Sequence, residues 1–422
     1  MYKAIRGMDD ILPQDAWIWH ELESMARKEL EGSGYAEIRT PMLEETSVFV
    51  RGIGETTDIV TKEMYTFSDR KERSLTLRPE GTAPIVRAYI EHSLGSVAPV
   101  LRLYYIGPMF RAERPQKGRS RQFHQIGVEI IGSSSHFADA EVIAQLDGML
   151  KMFGLKDFTI KLNSLGCKQD KAKFADVLKV FLKERSSRLC DDCKERVDKN
   201  VLRVLDCKSD SCRQVVREAP NVLDSLCGGC REHFEKVKTS LKALDVRFEE
   251  AKNLVRGLDY YTGTVFEITH SSLGAQDAIG AGGRYDNLVK DMGGSDTGAV
   301  GYALGMERII IALKSQNALP RPAKTVYIAT LGDEAKIEGM KMAQKIRKEA
   351  GSSGITVLTD IGESSLKSQL RSADKNSSAL VIILGEDELK QGKVLIKDMV
   401  NKEPQLSIAI GSVAEEVRKR LC

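Results

Sequence analysis

At 422 residues the chain is long enough for two or three domains with separate cores. Its balance of 42% apolar to 29% charged residues is that of a globular protein, not a disordered or fibrous one. A net charge of +3 excludes whole-molecule charge as a guide to nucleic acid, so any such binding must come from local patches. No run of 18 apolar residues occurs and "MYKAIRGMDDILPQDAWIWHEL" has no apolar signal segment, so a cytoplasmic protein with no membrane partner is expected.

Residues 14–31 read as an amphipathic helix with Trp17, Leu22, Met25, Ala26 and Leu30 on one face, stopped by "GSG". "YAEIRTP" follows as a short strand halted by Pro41. "TLRPEGTAP" (76–84) sets Arg78, Glu80 and Thr82 in a loop with Gly81. "VLRLYYIGPMF" (100–110) and "QFHQIGVEII" (122–131) read as two strands. Between them, residues 111–121 hold five basic side chains (Arg111, Arg114, Lys117, Arg119, Arg121) and one acid, Glu113.

Side chains alternate along a strand, so Phe123, Gln125, Gly127 and Glu129 share one face while His124, Ile126, Val128 and Ile130 share the other. The second set suits packing. The first holds an aromatic, an amide, a gap and a carboxylate, and the glycine leaves room for a ligand to lie against the sheet. One strand alone reads equally as a solvent-facing side; with the arginines next door, a ligand pocket is the better account.

From about 168 to 246 the sequence is helical and cysteine-bearing, with strand signals returning at "TVFEI" (264–268). Six cysteines lie there: "CDDC", Cys207, Cys212 and "CGGC". Paired C-x-x-C units are a zinc signal, and Cys190, Cys193, Cys227 and Cys230 could close a tetrahedral site, with Cys207 or Cys212 as substitutes. Reduced thiols in a helical insertion, without metal, are the favoured reading. Cys167 and Cys422 look incidental.

"LVRGLDYYTGT" (254–264) places Arg256, Asp259 and a tyrosine pair before a strand, and "GAVGYALGMERIIIAL" (298–313) reads as a strand entering a buried helix with Arg308 in its first turn. "AIGAGGRYDNL" (278–288) fits neither G-x-G-x-x-G nor G-x-x-x-x-G-K-[ST], which excludes the usual phosphate loops. The arginines, carboxylates and tyrosines together suit an anionic, nucleotide-like ligand with a small amino-bearing one. "NALPRPAK" (317–324) reads as a linker, and alternating strands and helices beyond it predict a small, mostly parallel α/β sheet.

These segments resemble the histidyl-tRNA synthetase family of class II aminoacyl-tRNA synthetases. "FRAERPQKGRSRQFHQIGVE" resembles the family's motif 2, "GYALGMERIIIAL" its motif 3, and the helix and strand ending at "EIRTP" its motif 1 at a dimer interface. "LVRGLDYYTG" and "AGGRYDNL" resemble its two histidine-specific segments. The resemblance implies an α+β fold: a class II catalytic domain over 1–320 on a six-stranded antiparallel sheet, a helical Cys-bearing insertion at 168–246, and a C-terminal α/β anticodon-binding domain over 322–422.

It also implies a homodimer that attaches L-histidine to tRNA(His) through a histidyl-adenylate, using ATP with Mg2+. By this resemblance Arg111 holds the ATP α-phosphate and the histidyl carboxylate, Arg256 lies at the α-phosphate, and these two are the catalytic pair. Arg308 grips the γ-phosphate, Phe123 stacks on adenine and Glu113 lies near the base. Glu80, Thr82 and Gln125 fix the amino group, while Glu129, Tyr260, Tyr261 and Tyr285 line the histidine pocket. Arg114 and Gln116 meet the tRNA acceptor end. Two alternatives share the catalytic fold: a non-catalytic, histidine-sensing regulatory paralogue of ATP phosphoribosyltransferase, and a ligase adenylating an acid for a non-tRNA acceptor. The three arginines disfavour the first and the C-terminal domain disfavours both.

Overall fold

A computed structural model describes residues 2–274, 277–319, 324–351, 354–401 and 403–421. The chain divides into two compact units, Met1–Pro320 and Arg321–Cys422. The middle of the expected linker, residues 320–323, lies outside the described residues, as does Cys422.

The first unit is built on an eight-stranded sheet. Its strands are β1 (Ala36–Glu37), β2 (Leu101–Phe110), β3 (Gln122–Ile131), β4 (Phe158–Ser164), β5 (Glu249–Glu250), β6 (Thr262–His270), β7 (Ala278–Arg284) and β8 (Ala299–Gly305), in the order β1-β2-β3-β8-β7-β6-β4-β5. The six central strands pair antiparallel, as expected of the class II sheet. Only the two-residue strands β1 and β5 add to the edges in parallel.

Helices cover the apolar face of β3. Of these, α1 (Pro13–Gly32) and α3 (His136–Met152) bury Ile18, Leu22, Ala26, Leu30, Val142, Ile143 and Leu146 against Ile126, Val128 and Ile130, whereas α2 (Thr82–Glu91) packs Ile85 and Val86 into the cluster on the other face. The four-residue spacing of the α1 set makes one stripe, and each fully buried Leu or Ile contributes roughly 1.5–3 kcal/mol. Trp17 and Met25 stand at the margin of that stripe, half-buried, and Ile18 takes the central place.

The opposite face packs on a second apolar cluster that runs into the insertion. There the chain forms α4 (Lys168–Lys183), α5 (Asp191–Lys199), α6 (Asp210–Arg217) and α7 (Gly228–Ala243), joined by short 3-10 turns. Helix α8 (Met306–Ser315) follows β8 directly. A three-stranded sheet of Leu43–Glu45, Ser74–Leu77 and Tyr65–Ser68 has no counterpart in the sequence reading, and it feeds the loop ahead of α2.

The second unit holds β9 (Lys324–Thr330), β10 (Ile355–Thr359), β11 (Leu380–Leu384), β12 (Lys393–Asp398) and β13 (Leu406–Ala409) in the order β10-β9-β11-β12-β13. The first three are parallel, but β12 and β13 pair antiparallel, so the sheet is mixed where a mostly parallel one was expected. The alternating burial of "KVLIKD" is the strand signal that the βαβ reading passed over. Helices pack the sheet on both faces, giving this unit its own core. Among the described residues no helix is long and apolar enough to cross a membrane.

Candidate active site

The polar face of β3 floors a cleft lined by residues of β2, β3, β7 and β8 and of the loops and helix ends beside them, including Arg111, Glu113, Phe123, Gln125 and Glu129. The β2–β3 hairpin sets their positions. Arg111 follows the last residue of β2 and stays in register, its N–H reaching the Arg121 carbonyl at 2.8 Å. The basic loop closes on itself where Gln116 and Arg119 exchange backbone hydrogen bonds of 3.0 and 2.8 Å. Gly118 supplies the positive φ, +71°, that this tight turn needs.

Glu80 and Thr82 meet the cleft at the start of α2, so Thr82 begins a helix and does not belong to the preceding loop. Glu80 accepts hydrogen bonds from the backbone N–H groups of Thr82 and Ala83, both at 2.8 Å, satisfying the helix N-terminus. Burial raises the Glu80 pKa, and those two donors pull it part of the way back.

Glu129 is buried and accepts from Thr82 Oγ1 at 2.7 Å and from the Tyr285 hydroxyl. Burial pushes its pKa up to about 8, the Tyr285 and Thr82 hydroxyls oppose the shift, and the nearby Glu80 adds to it. Tyr260, Tyr261 and Tyr285 form one aromatic group, with Tyr260 ring centroids 4.6 Å from Tyr261 and 5.6 Å from Tyr285. Burial raises all three phenols, Tyr261 to about 12, so they remain protonated donors at neutral pH. Gln125 Oε1 is buried without a hydrogen-bond partner among the described residues.

The gap read above Gly127 is not open. The Tyr105 ring, from the paired strand, fills the space a Cβ on Gly127 or Gly81 would need. Gly301 likewise makes way for a neighbour, since the Glu129 carboxylate occupies the space that a Cβ there would need.

Three arginines enter from three elements. Arg111 donates through Nε to the Pro79 carbonyl at 2.9 Å, and its guanidinium stands 5.1 Å from the Phe123 ring centroid, within cation–π range. Arg256 pairs with Glu267 at 2.8 Å, while its Nε is buried without a partner among the described residues. Arg308 donates through Nε to the Gly118 carbonyl at 2.9 Å and through Nη1 to the Ala278 carbonyl, so it clamps the basic turn to β7. Burial, then the like charge of Arg119, lowers the Arg308 pKa. Glu113 is paired with Arg119 at 3.0 Å.

The cleft therefore brings together Glu80, Thr82, Arg111, Glu113, Phe123, Gln125, Glu129, Arg256, Tyr260, Tyr261, Tyr285 and Arg308. Arg114 and Gln116 are exposed on the basic loop and do not line it. Arg78 also stays outside: it is buried and braces the chain by donating to the Pro108 and Thr40 carbonyls at 2.9 and 3.0 Å. The cysteine set is corrected. Cys190 and Cys193 cluster with Cys207 and Cys212, whereas Cys227 and Cys230 cluster with Asp170 and Cys167, which is therefore not incidental. The two C-x-x-C units sit at the starts of different helices, α5 and α7, and helix packing carries them into separate groups.

Residues that brace the cleft also escaped the sequence reading. Glu267 holds Arg256, and Glu307 accepts from the His124 backbone N–H at 2.9 Å, tying β3 to α8. Lys171 of α4 donates to the carbonyls of Asp259 and Tyr261 at 2.8 and 3.3 Å. Glu267 had a local signal, as the one acid inside the apolar strand "TVFEI"; the Lys171 contacts, about 90 residues away in sequence, had none.

A six-stranded antiparallel sheet with a basic hairpin at its cleft and a separate C-terminal α/β unit is the architecture of a class II aminoacyl-tRNA synthetase. The family described as histidyl-tRNA synthetase matches residues 7–309, and the anticodon binding domain family matches residues 325–420. The chain is 49% identical over 405 residues to the histidine–tRNA ligase of Thermosipho melanesiensis, covering 96% of this chain and 95% of that one. It is 48% identical to the histidine–tRNA ligase of Halothermothrix orenii over 99% of each chain. The crystal structure of apo S. aureus histidyl-tRNA synthetase superposes with a TM-score of 0.79 at 32% identity, covering 99% of both chains. The chain belongs to the histidyl-tRNA synthetase family, and it is an enzyme that attaches histidine to tRNA. Relatives so named over nearly the whole length disfavour the regulatory-paralogue alternative.

Proposed function

We propose that the cleft forms histidyl-adenylate from L-histidine and the Mg2+ complex of ATP, and then transfers the histidyl group to the acceptor end of tRNA(His). A carboxylate oxygen of histidine attacks the α-phosphorus, the bond to the bridging oxygen breaks, and diphosphate leaves. A terminal ribose hydroxyl of the tRNA then attacks the acyl carbon and AMP departs.

The first step joins two groups of like charge, so cations must neutralise both and hold them in line. Arg111 and Arg256 serve at the α-phosphate and Arg308 at the γ-phosphate, with Phe123 stacked on adenine and Glu113 beside the base. The unpartnered Nε of Arg256 supports this assignment: an orphaned buried donor costs about 1–3 kcal/mol, which an anionic oxygen relieves. Gln125 Oε1 accepts from the substrate ammonium, alongside Glu80 and Thr82. Neutral imidazole has one donor and one acceptor nitrogen, which the Glu129 carboxyl group and the phenols of Tyr261, Tyr285 and Tyr260 read. Such a hydrogen-bonding site rejects analogues lacking those groups far better than an apolar pocket does.

The exposed Arg114 and Gln116 meet the acceptor end of the tRNA, as loop side chains that reach beyond the cleft. We assign the enzyme to the cytoplasm and to a homodimer formed through α1 and β1, where β1 is a two-residue edge strand beside the exposed Met42 and Leu43.

The convergence of Arg111, Arg256 and Arg308 on one cleft carries this reading. It is tested by ATP–diphosphate exchange with each amino acid in turn: exchange with histidine alone is expected, and exchange with none would overturn it. Arg256→His should slow exchange by roughly 100- to 1,000-fold with the thermal midpoint unchanged. A variant with near-normal exchange would remove Arg256 from the chemistry.

A further inference from the structure

We propose that Cys190, Cys193, Cys207 and Cys212 form a structural zinc site that staples the helical insertion. Their spacing, C-x2-C-x13-C-x4-C, falls within one short segment of the chain. All four Sγ atoms lie within 4.8 Å of one another. Cys190 Sγ and Cys207 Sγ are 3.8 Å apart. A tetrahedral centre with Zn–S bonds of about 2.3 Å has sulfur–sulfur edges of about 3.8 Å, whereas a disulfide holds its sulfurs at about 2.05 Å. All four thiols are free.

The surroundings fit thiolate ligands. Cys190 is the N-cap residue of α5 with Cys193 in the first turn, and Cys212 lies in the first turn of α6, so two helix N-termini face the cluster. The Cys190 N–H donates to Cys212 Sγ at 3.2 Å, the kind of outer contact that orients a ligand sulfur. Cys193 and Cys212 are fully buried, which excludes competing water. A zinc with four thiolates carries two negative charges, and α5, which bears Cys193, also carries the cations Lys194 and Arg196.

The insertion also needs a staple. Helices α5 and α6 have 9 and 8 residues, below the length at which isolated helices hold in water. What the zinc fixes bears on the cleft, a point that rests on the function proposed above. Arg196 and Arg203 pair with Asp58 at 3.0 and 3.2 Å, and Asn200 donates to Asp259, next to Tyr260, at 3.1 Å. The other cluster differs. Both oxygens of Asp170 already accept backbone N–H groups of Cys227 and Cys167, at 3.0 and 3.3 Å, and Cys227 is exposed. That arrangement caps two helices.

The test measures metal and does not depend on activity. The full chain, purified under reductant without chelator, should carry about one zinc per chain. Chain stripped of metal should take up one equivalent of cobalt(II) with the visible and sulfur-to-cobalt charge-transfer bands of a tetrahedral thiolate centre. Cobalt decides the matter where zinc has been lost in purification, and failure to develop those bands overturns the site. Cys207→Ser with Cys212→Ser should abolish the bands, while Cys227→Ser with Cys230→Ser keeps them. The reverse pattern would move the metal to the other cluster and overturn the assignment.

Discussion

Glu129 shows how one side chain's environment sets its chemistry. It sits on the sheet with two hydroxyl donors and no cationic partner among the described residues, so burial dominates and its pKa rises to about 8. Between its ordinary value near 4.5 and about 8, the folded chain keeps a proton that the unfolded chain has released. Stability from this group is therefore fully present below the lower value and falls as pH rises, by roughly 1.4 kcal/mol per pH unit within the window. Glu129→Gln is neutral throughout and should lack that slope. Denaturant titrations at several pH values across the window should show the wild type losing stability relative to the variant as pH rises. Parallel curves would mean that Glu129 is ionised in the folded chain at neutral pH. The strand alternation of "QFHQIGVEI" made the facing of Glu129 legible, but not Tyr105, whose ring occupies the place read as open.

At the scale of elements, a buried ion pair holds the segment that presents Tyr285. Arg284 is 2% exposed and donates to Asp139 of α3, which is fully buried, with further bonds to Asp286 and to the carbonyls of Ser133 and Ser135. Burial alone would raise the Asp139 pKa, yet Arg284 and His233 hold it below the ordinary range. Removing one partner leaves a charge buried and uncompensated, which costs about 3–5 kcal/mol. Asp139→Ala should lose about that much stability by denaturant titration. In the fraction that remains folded, KM for histidine should rise more than KM for ATP, because Arg284 precedes Tyr285 in the chain. An unchanged histidine KM would separate the ion pair from the pocket. "AGGRYDNL" signalled function at these positions, but Asp139 lies 145 residues away and no local pattern pairs the two.

In the whole molecule, each compact unit has its own core, with Val326, Ile328, Leu380 and Ile382 central to the second. A fragment ending near residue 320 should therefore fold and keep histidine-dependent ATP–diphosphate exchange, while tRNA charging falls by one to several orders of magnitude because phosphate and base contacts are lost. Paired exchange and charging assays check this, and a fragment that charges tRNA at the full-length rate would assign tRNA selection to the first unit alone.

What the sequence determined by itself is whatever short-range physics sets: the α1 stripe, the β2–β3 hairpin with its basic turn, the strand-to-helix passage at Arg308, and the strand and helix alternation of the second unit. Periodicity, turn chemistry and the alternation of side chains act over a few residues, so they can be read from the chain alone. Tertiary structure alone decided which cysteines meet, that Tyr105 fills the space over Gly127, that Lys171 pins the Tyr260–Tyr261 loop, and that β12 and β13 turn the second sheet mixed. Those are choices among distant partners with equivalent local signals, and they are settled only when packing lets one set of close contacts form and excludes the rest.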